Sequence, residues 1–521
     1  MSAAATTRGW VGHLAEEGGA REAIVLDPPV GAPSAEAFGY TALAAHAARL
    51  GAAWTRHGLP AGDRVAVLAH PSPAGVAAVH GLVDRRLVLL PLHLRWTESE
   101  QADALRRAGA RALVVDRLEE ARGRRLADAL GCRLFRLEST PDGPRLEPLR
   151  EETAPRPEDD EATRRRLVDQ DAALILFTSG TSGRSKGAIL GFDNLIASAR
   201  AGTKLLGSDP DDRWLLCMPL FHVAGIQVLI RSALLGTAVV LHDGFDAARV
   251  AAALDRARIT RVSLVANMLE QVLAARDGQP APAALALVLL GGGPASPDLL
   301  ARARAAGLPI APTYGLTEAA SQVATRPPAA EWTDPADLAA GLEPLPGVSL
   351  RIVDGGGRVL AAGQEGEIQV RGPMVMKGYL GDPAATAAAL ADGWLRTGDL
   401  GRLDGDGRLR VLDRRADLIV SGGENVYPAE VESVLAAHPD VAEAGVVGVG
   451  SRRFGARPVA FVVLRPGRSL QAEALERHCA ERLAAYKVPD AFHALAALPR
   501  TSTGKLLRRA LARRAQRTET G

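Results

Sequence analysis

The amino-acid sequence predicts an α/β protein: helices layered on largely parallel sheets, then a β-rich subdomain and a separate C-terminal unit. Three observations predict it. Helical patterns alternate with short apolar runs between residues 41 and 115. The same rhythm resumes after residue 172 and continues to residue 314. Beyond Pro346 it gives way to short β-like runs between glycine turns, then to a last unit with a basic tail.

Residues 41–56 carry a helical pattern, and 64–68, 88–92 and 112–115 are apolar runs of strand length. Residues 138–170 turn charged and proline-containing, which reads as a surface excursion. Apolar runs return at 172–177, 214–220, 238–241, 262–265, 286–290 and 310–314. Helical patterns separate most of them, as in a parallel sheet covered by helices. In the β-rich part, 348–353, 366–371 and 409–412 lie between turns such as Asp354-Gly355-Gly356-Gly357 and Asp404-Gly405-Asp406-Gly407. A break at 413–417 opens the final unit, with a helix over 428–437. Its basic tail, 506–517, reads as a solvated helix face.

At 521 residues the chain is too long for one hydrophobic core and suits a large domain plus smaller ones. Hydrophobic residues make up 47% and charged residues 23%, the balance of a folded globular chain. The 62 basic and 60 acidic residues nearly cancel, so no global field recruits nucleic acid or a membrane surface. Aromatics, at 4%, leave few platforms for stacking single-stranded bases. Cys132, Cys217 and Cys479 are far apart and follow no metal spacing, which implies a reducing compartment. Met1 to Arg8 lacks a basic-then-apolar leader pattern, and no apolar run approaches the roughly 20 residues of a membrane span. The expectation is a cytoplasmic protein with no nucleic-acid partner and no stable membrane insertion; homo-oligomer formation is left open.

The most informative segment follows the apolar run 172–177. It reads Thr178-Ser179-Gly180-Thr181-Ser182-Gly183-Arg184-Ser185-Lys186-Gly187. Glycines let the backbone approach a polyphosphate, whose oxygens then accept from consecutive N–H groups and hydroxyls. Lys186 adds a point charge. No Gly-x-x-x-x-Gly-Lys-Ser/Thr occurs, so this is not a Walker A loop. A solvated Gly/Ser linker is the plainer reading. The buried run before the segment and the amphipathic run 195–206 after it speak against that.

Four later segments share this loop-after-strand character. In Pro312-Thr313-Tyr314-Gly315-Leu316-Thr317-Glu318 an aromatic beside a glycine offers a face to a purine. The adjacent hydroxyl and carboxylate suit Mg²⁺ carried on phosphate oxygens; alone, the segment reads equally as a capped strand-end turn. Gly393-Trp394-Leu395-Arg396-Thr397-Gly398-Asp399 sets a carboxylate in a glycine turn, where it can accept from two ribose hydroxyls; alone, it reads first as an Asx turn. The third runs from Asp413-Arg414-Arg415-Ala416-Asp417-Leu418 through Ser421-Gly422-Gly423-Glu424-Asn425-Val426, and the fourth is Pro499-Arg500-Thr501-Ser502-Thr503-Gly504-Lys505.

In this order the five segments resemble those of the adenylate-forming superfamily of acyl-CoA synthetases, peptide-synthetase adenylation domains and luciferases. The resemblance covers nearly the whole chain. It implies a large N-terminal domain, residues 1–412, of two α/β subdomains and a distorted β-barrel. A hinge at 413–417 would join it to a small, mobile α+β domain at 418–521. By the same resemblance Ser179, Gly180, Thr181, Ser182, Gly183 and Lys186 hold the β- and γ-phosphates of ATP. Tyr314 and Gly315 face adenine, Thr317 binds phosphate, and Glu318 with Thr178 holds Mg²⁺. Asp399 takes the ribose hydroxyls with Arg414 beside it. Lys505 bridges the attacking carboxylate and the α-phosphate. After rotation of the small domain, Gly422 and Gly423 line the pantetheine tunnel of CoA. The residue types fit the chemistry: two anions meet, so Lys505 and Mg²⁺ have charge to neutralise as pyrophosphate leaves. No general base is required, because a carboxylate is already ionised near neutral pH.

Within the superfamily, three stretches resemble the o-succinylbenzoate–CoA ligases of menaquinone biosynthesis. These are Met218-Pro219-Leu220-Phe221-His222-Val223-Ala224-Gly225, Leu289-Leu290-Gly291-Gly292-Gly293-Pro294-Ala295, and Ala319-Ala320-Ser321-Gln322-Val323. The resemblance puts His222 at the acyl pocket, where a buried structural histidine is an equal reading. It makes Gly291, Gly292 and Gly293 a wall between adenine and a flat aromatic acid. Ser321, Arg231 and Asn267 are candidates for a second substrate carboxylate. Two departures belong to this chain: Ala416 where relatives often have Asp or Lys, and Val265-Ala266-Asn267-Met268-Leu269 where they often have Val-Pro-Thr-Met-Leu. The alternatives are CoA ligation of another aromatic or fatty acid, loading of a carrier protein, or a non-catalytic ligand-binding relative. Retention of Lys186, Glu318, Asp399, Arg414 and Lys505 opposes the last.

Overall fold

The computed structural model describes residues 10–19, 21–27, 36–96, 98–140, 142–150, 158–178, 186–293, 295–328, 341–414, 419–421, 424–426, 428–451, 454–483, 485–501, 504 and 506–519. Two large sheets dominate them. The first has eight strands, in the order Gly378–Tyr379, Lys186–Gly191, Ala172–Thr178, Val88–Pro91, Arg64–Leu68, Ala112–Val115, Arg133–Thr140 and Gly143–Arg150. Its interior is parallel and its two ends are antiparallel hairpins. All four residues of Ala112–Val115 are buried, as expected of a strand covered on both faces. Fully burying each such valine or leucine stabilises the fold by about 1.5–3 kcal/mol.

The helices on these strands follow from local signals. Pro73–Asp84 starts where the Ser72 hydroxyl accepts from the Gly75 N–H at 3.1 Å, with proline at its first position. It then buries Ala74, Val76, Ala77, Ala78, Val79 and Leu82 against the Tyr40–Arg56 helix and the sheet.

The second large sheet has nine strands, and Arg261–Val265, Leu287–Gly291 and Ile310–Leu316 run parallel through it. The last two end at the triple glycine and at the Thr317–Glu318 turn, on the carboxyl edge where parallel sheets collect ligands. The β-rich part is a five-stranded antiparallel sheet including Ser349–Val353, Gly366–Arg371, Trp394–Leu403 and Leu409–Arg414. A fourth sheet, centred on Val441–Ser451 and Gly455–Leu464, carries the C-terminal unit with its own cores. Large α/β domain, β-rich sheet and small α+β domain thus stand in the expected order.

Three local expectations are refined. Residues 138–170, read as a surface excursion, carry regular structure: Gly143–Arg150 pairs with Arg133–Thr140, and Glu158–Asp169 is helical. The segment after Thr178 does not lead straight into the amphipathic helix, because Lys186–Gly191 first returns antiparallel to Ala172–Thr178. The tail helix Arg508–Glu519 has the expected solvated face, with Arg509, Arg513 and Arg514 exposed, and a second face on which Leu511 and Ala515 are buried against the C-terminal sheet.

Candidate active site

Thr178 and Lys186 face each other as a register pair, so the Gly/Ser/Thr segment is the connection of a β-hairpin. Residues 179–185 themselves, including Ser179, Gly180, Thr181, Ser182 and Gly183, lie outside the described residues, but their anchors are placed. The Thr178 hydroxyl donates to Glu318 Oε1 at 3.4 Å, and the Tyr379 hydroxyl donates to the same oxygen at 3.1 Å. The Lys186 ammonium sits 5.1 Å from the centre of the Tyr379 ring. Burial and the adjacent Glu318 push the Tyr379 hydroxyl up, which keeps it protonated as a donor. A hydroxyl and one carboxylate are a sparse donor set, suited to Mg²⁺ held largely by phosphate oxygens. Among the described residues no cluster of three or more His, Cys, Asp or Glu could hold a metal alone.

Glu318 and Thr317 ride on a short 3₁₀ turn between the antiparallel strands Ile310–Leu316 and Ser321–Thr325. Gly315 is dictated by this hairpin, since a Cβ there would lie 1.7 Å from the Ser321 carbonyl oxygen. One residue earlier, the Tyr314 hydroxyl donates to Asp399 Oδ2 at 2.8 Å. Asp399 is buried, follows Gly398 at φ +70°, and pairs in register with Arg414. Nothing is described of the Arg414 side chain, although its backbone closes the Leu409–Arg414 strand. Tyr314, Asp399, Glu318, Thr178 and Lys186, far apart in sequence, therefore share one edge.

On the acyl side His222 is the N-cap residue of the Val223–Leu235 helix, without a side-chain cap bond. Glycine at 225 has a packing cause: a Cβ there would meet the Pro219 carbonyl oxygen at 2.4 Å. The His222 ring lies edge-on to Phe221 (4.8 Å between centres) and to His93 (5.8 Å). His93 in turn stacks on Phe221 at 4.0 Å. Burial, aided by Arg95, pushes the His93 imidazole down to about 4, so it is neutral. Its Nδ1 accepts from the Arg95 N–H at 3.0 Å.

The three glycines expected to form a pocket wall differ. Gly291 is needed for packing, as a Cβ would come 2.8 Å from Thr313 Cγ2, and Gly292 has φ +79°. Only at Gly293 would a Cβ point into open space. Asn267 is exposed in the first turn of Ala266–Arg276, and a Cβ built on Gly504 would come 3.9 Å from its Nδ2. Gly504 in the C-terminal loop thus lies beside Asn267. Arg500 holds that loop by donating to the Gly504 carbonyl oxygen at 2.7 Å. Lys505, Ala416, Gly422 and Gly423 lie outside the described residues.

Residues 13–380 match the model of the AMP-binding enzyme family, and 430–505 match the AMP-binding enzyme C-terminal domain. The chain belongs to this family. Curated relatives include a 2-succinylbenzoate–CoA ligase of Bacillus licheniformis, 40% identical over 458 residues, covering 87% of this chain and 90% of the relative. One of the same name in Geobacillus kaustophilus is 39% identical over 92% of this chain and 93% of its own. Among solved structures, o-succinylbenzoate CoA synthetase of Bacillus subtilis with its acyl-adenylate intermediate OSB-AMP superposes with a TM-score of 0.83. It is 33% identical, over 97% of this chain and 98% of that one. ATP-bound MatB from Rhodopseudomonas palustris also gives 0.83, at 27% identity over 98% of this chain and 99% of that one.

Two residues that touch the candidate site residues were not anticipated. Tyr379 comes from the two-residue strand Gly378–Tyr379, paired with Lys186–Gly191, and no local motif announces it. His93 follows the Val88–Pro91 strand and meets Phe221 only through the fold. Arg231, a candidate for a second substrate carboxylate, is buried more than two turns along the helix from His222 and donates to Gln322 instead.

Proposed function

We propose that the chain is an AMP-forming, ATP-dependent acid–CoA ligase whose acid is o-succinylbenzoate, which places it in menaquinone biosynthesis. The observation that carries the reading is the shared edge: Tyr314 bonded to Asp399 at one end, Thr178 and Tyr379 bonded to Glu318 at the other. An aromatic, a ribose-type carboxylate and a phosphate-side carboxylate on one edge suit a nucleoside triphosphate. The high-coverage 2-succinylbenzoate–CoA ligase relatives support the acid.

In the first half-reaction a carboxylate oxygen of the acid attacks the α-phosphorus, and the α–β P–O bond breaks to release pyrophosphate. Lys186 with Ser179, Gly180, Thr181, Ser182 and Gly183 binds the β- and γ-phosphates. Lys505 brings a cation to the attacking carboxylate and the α-phosphate. Tyr314 and Gly315 position adenine, with Gly291, Gly292 and Gly293 on the wall beside it. Asp399, with Arg414, orients the ribose, and Thr317 donates to phosphate. Glu318 and Thr178 would hold Mg²⁺, which neutralises phosphate charge when bound. Neutral His93 packs the Phe221–His222 corner, and His222 faces the reacting carboxylate. In the second half-reaction the CoA thiol adds to the acyl carbonyl and AMP leaves with the bonding pair. Residues 413–417 serve as the hinge between 1–412 and 418–521, and Gly422 and Gly423 let the pantetheine arm pass.

The partners are this acid, ATP and CoA; a homo-oligomer is compatible with the reading. A cytoplasmic location is supported by three buried, unbridged cysteines. Among the described residues no helix is long and apolar enough to cross a membrane. Incubation with ATP, Mg²⁺, CoA and a panel of o-succinylbenzoate, substituted benzoates and fatty acids tests the proposal by the mass of the thioester. Selective o-succinylbenzoyl-CoA formation is expected. Preference for another acid would keep the chemistry and overturn the pathway.

A further inference from the structure

The turn that carries Glu318 ends in two non-glycine residues with positive φ, Ala320 at 50° and Ser321 at 102°. Such backbone is costly for residues with a Cβ and persists only where its surroundings hold it. What holds this turn comes from the helix that starts at His222. Gln227, buried there, donates through Nε2 to the Ala320 carbonyl oxygen at 2.9 Å and to the Leu195 carbonyl oxygen at 3.3 Å. One turn on, the buried Arg231 donates through Nη2 to Gln322 Oε1, and its guanidinium lies 5.1 Å from the centre of the Trp214 ring. Gln322 Nε2 then donates to Thr325 Oγ1 at 2.9 Å. A Cβ at Gly202 would sit 2.9 Å from Gln322 Oε1 and 3.2 Å from Arg231 Nη2, so glycine there leaves room for the pair. Arg231 makes no ion pair among the described residues, and its guanidinium is held by Gln322 and the Trp214 ring.

The geometry points to Gln227 and Arg231 as positioning residues for adenylation: they clamp the strained Ala320–Ser321 turn and so set Glu318 for the phosphate-side metal. This rests on the role given to Glu318 above. The residues are one helical turn apart and therefore share a face, which lets one helix hold the Ala320 carbonyl and the Gln322 side chain that follows the strained pair.

Gln227→Met tests it. In acid-dependent pyrophosphate–ATP exchange the half-saturating Mg²⁺ concentration should rise about tenfold, with thioester formation from supplied acyl-adenylate within about twofold of the parent. In the ligand-free protein, amides of residues 317–322 should exchange hydrogen faster. Adding Ala320→Gly, which makes positive φ intrinsically accessible, should recover much of the Mg²⁺ dependence. Gln227→Asn keeps the amide but shortens its reach, and carries the same test should the methionine variant not fold. Equal loss in both half-reactions, or unchanged Mg²⁺ dependence and exchange, overturns the clamp. Glu318→Gln run alongside separates the two claims. If it shifts Mg²⁺ dependence and Gln227→Met does not, only the clamp fails; if it shifts nothing, the role of Glu318 fails.

Discussion

At the nucleotide edge, Tyr314, Asp399, Glu318, Thr178 and Tyr379 are joined by hydrogen bonds across strands from three sheets. At the acyl edge, His93, Phe221 and His222 meet through ring faces and edges, and Asn267 stands exposed beside the Gly504 loop. Hydrogen-bonded geometry is intolerant of substitution because each lost partner leaves a buried polar atom behind. Ring packing and an exposed amide tolerate exchange far better. The difference teaches where one scaffold can change its acid without touching its chemistry.

The comparison is broken most severely by Lys505→Ala. Adenylation should fall about 10²–10³-fold, while thioester formation from supplied acyl-adenylate is spared. Equal loss in both would remove Lys505 from the nucleotide edge. Asp399→Asn comes next. It deletes a charged acceptor, so the KM for ATP should rise about 10–100-fold with the KM for the acid little changed. Tyr379→Phe removes one donor to Glu318 and should cost about three- to tenfold in adenylation, which a full kinetic profile resolves. Asn267→Thr sharpens the contrast from the other side. Acid selectivity should shift by about tenfold or less with no change in the ATP constant; a shift in ATP binding would merge the two edges.

The smallest effect concerns pH. The His80 imidazole is pushed down to about 3 by burial, with its Nδ1 accepting from Trp10 Nε1 at 3.1 Å. His93 is held near 4 by burial and Arg95. Both are ordinary, near 6.5, in the unfolded chain, which therefore binds more protons than the folded one below that pH. Their contribution is complete above about pH 6.5 and is lost as pH falls toward 4 for His93 and 3 for His80. The Tm should be level from about pH 7 to 8 and decline below about 6; a level Tm down to pH 5 contradicts both assignments.

The strands Arg64–Leu68, Ala112–Val115 and Ala238–Leu241 were legible because buried apolar runs end abruptly at polar residues or turns, and Gly366–Arg371 because its β-like run lies between glycine turns. Lys186–Gly191 was not, since two glycines and a preceding loop mask a strand whose burial comes from its partners. Gly143–Arg150 was hidden by prolines and charges that an edge strand tolerates. In the site, motifs local in sequence announced Tyr314, Glu318 and Asp399. Tyr379 and His93 join only through tertiary pairing, and Gln227 looked like any polar residue on a helix. Backbone strain at Ala320 and Ser321 leaves no compositional trace, so the clamp on it could be read only from coordinates.

The most direct test of the account is pyrophosphate–ATP exchange in the absence of CoA, with and without o-succinylbenzoate. Exchange should require the acid and Mg²⁺ and be indifferent to CoA. Exchange that ignores o-succinylbenzoate, or that appears only when CoA is added, would contradict it.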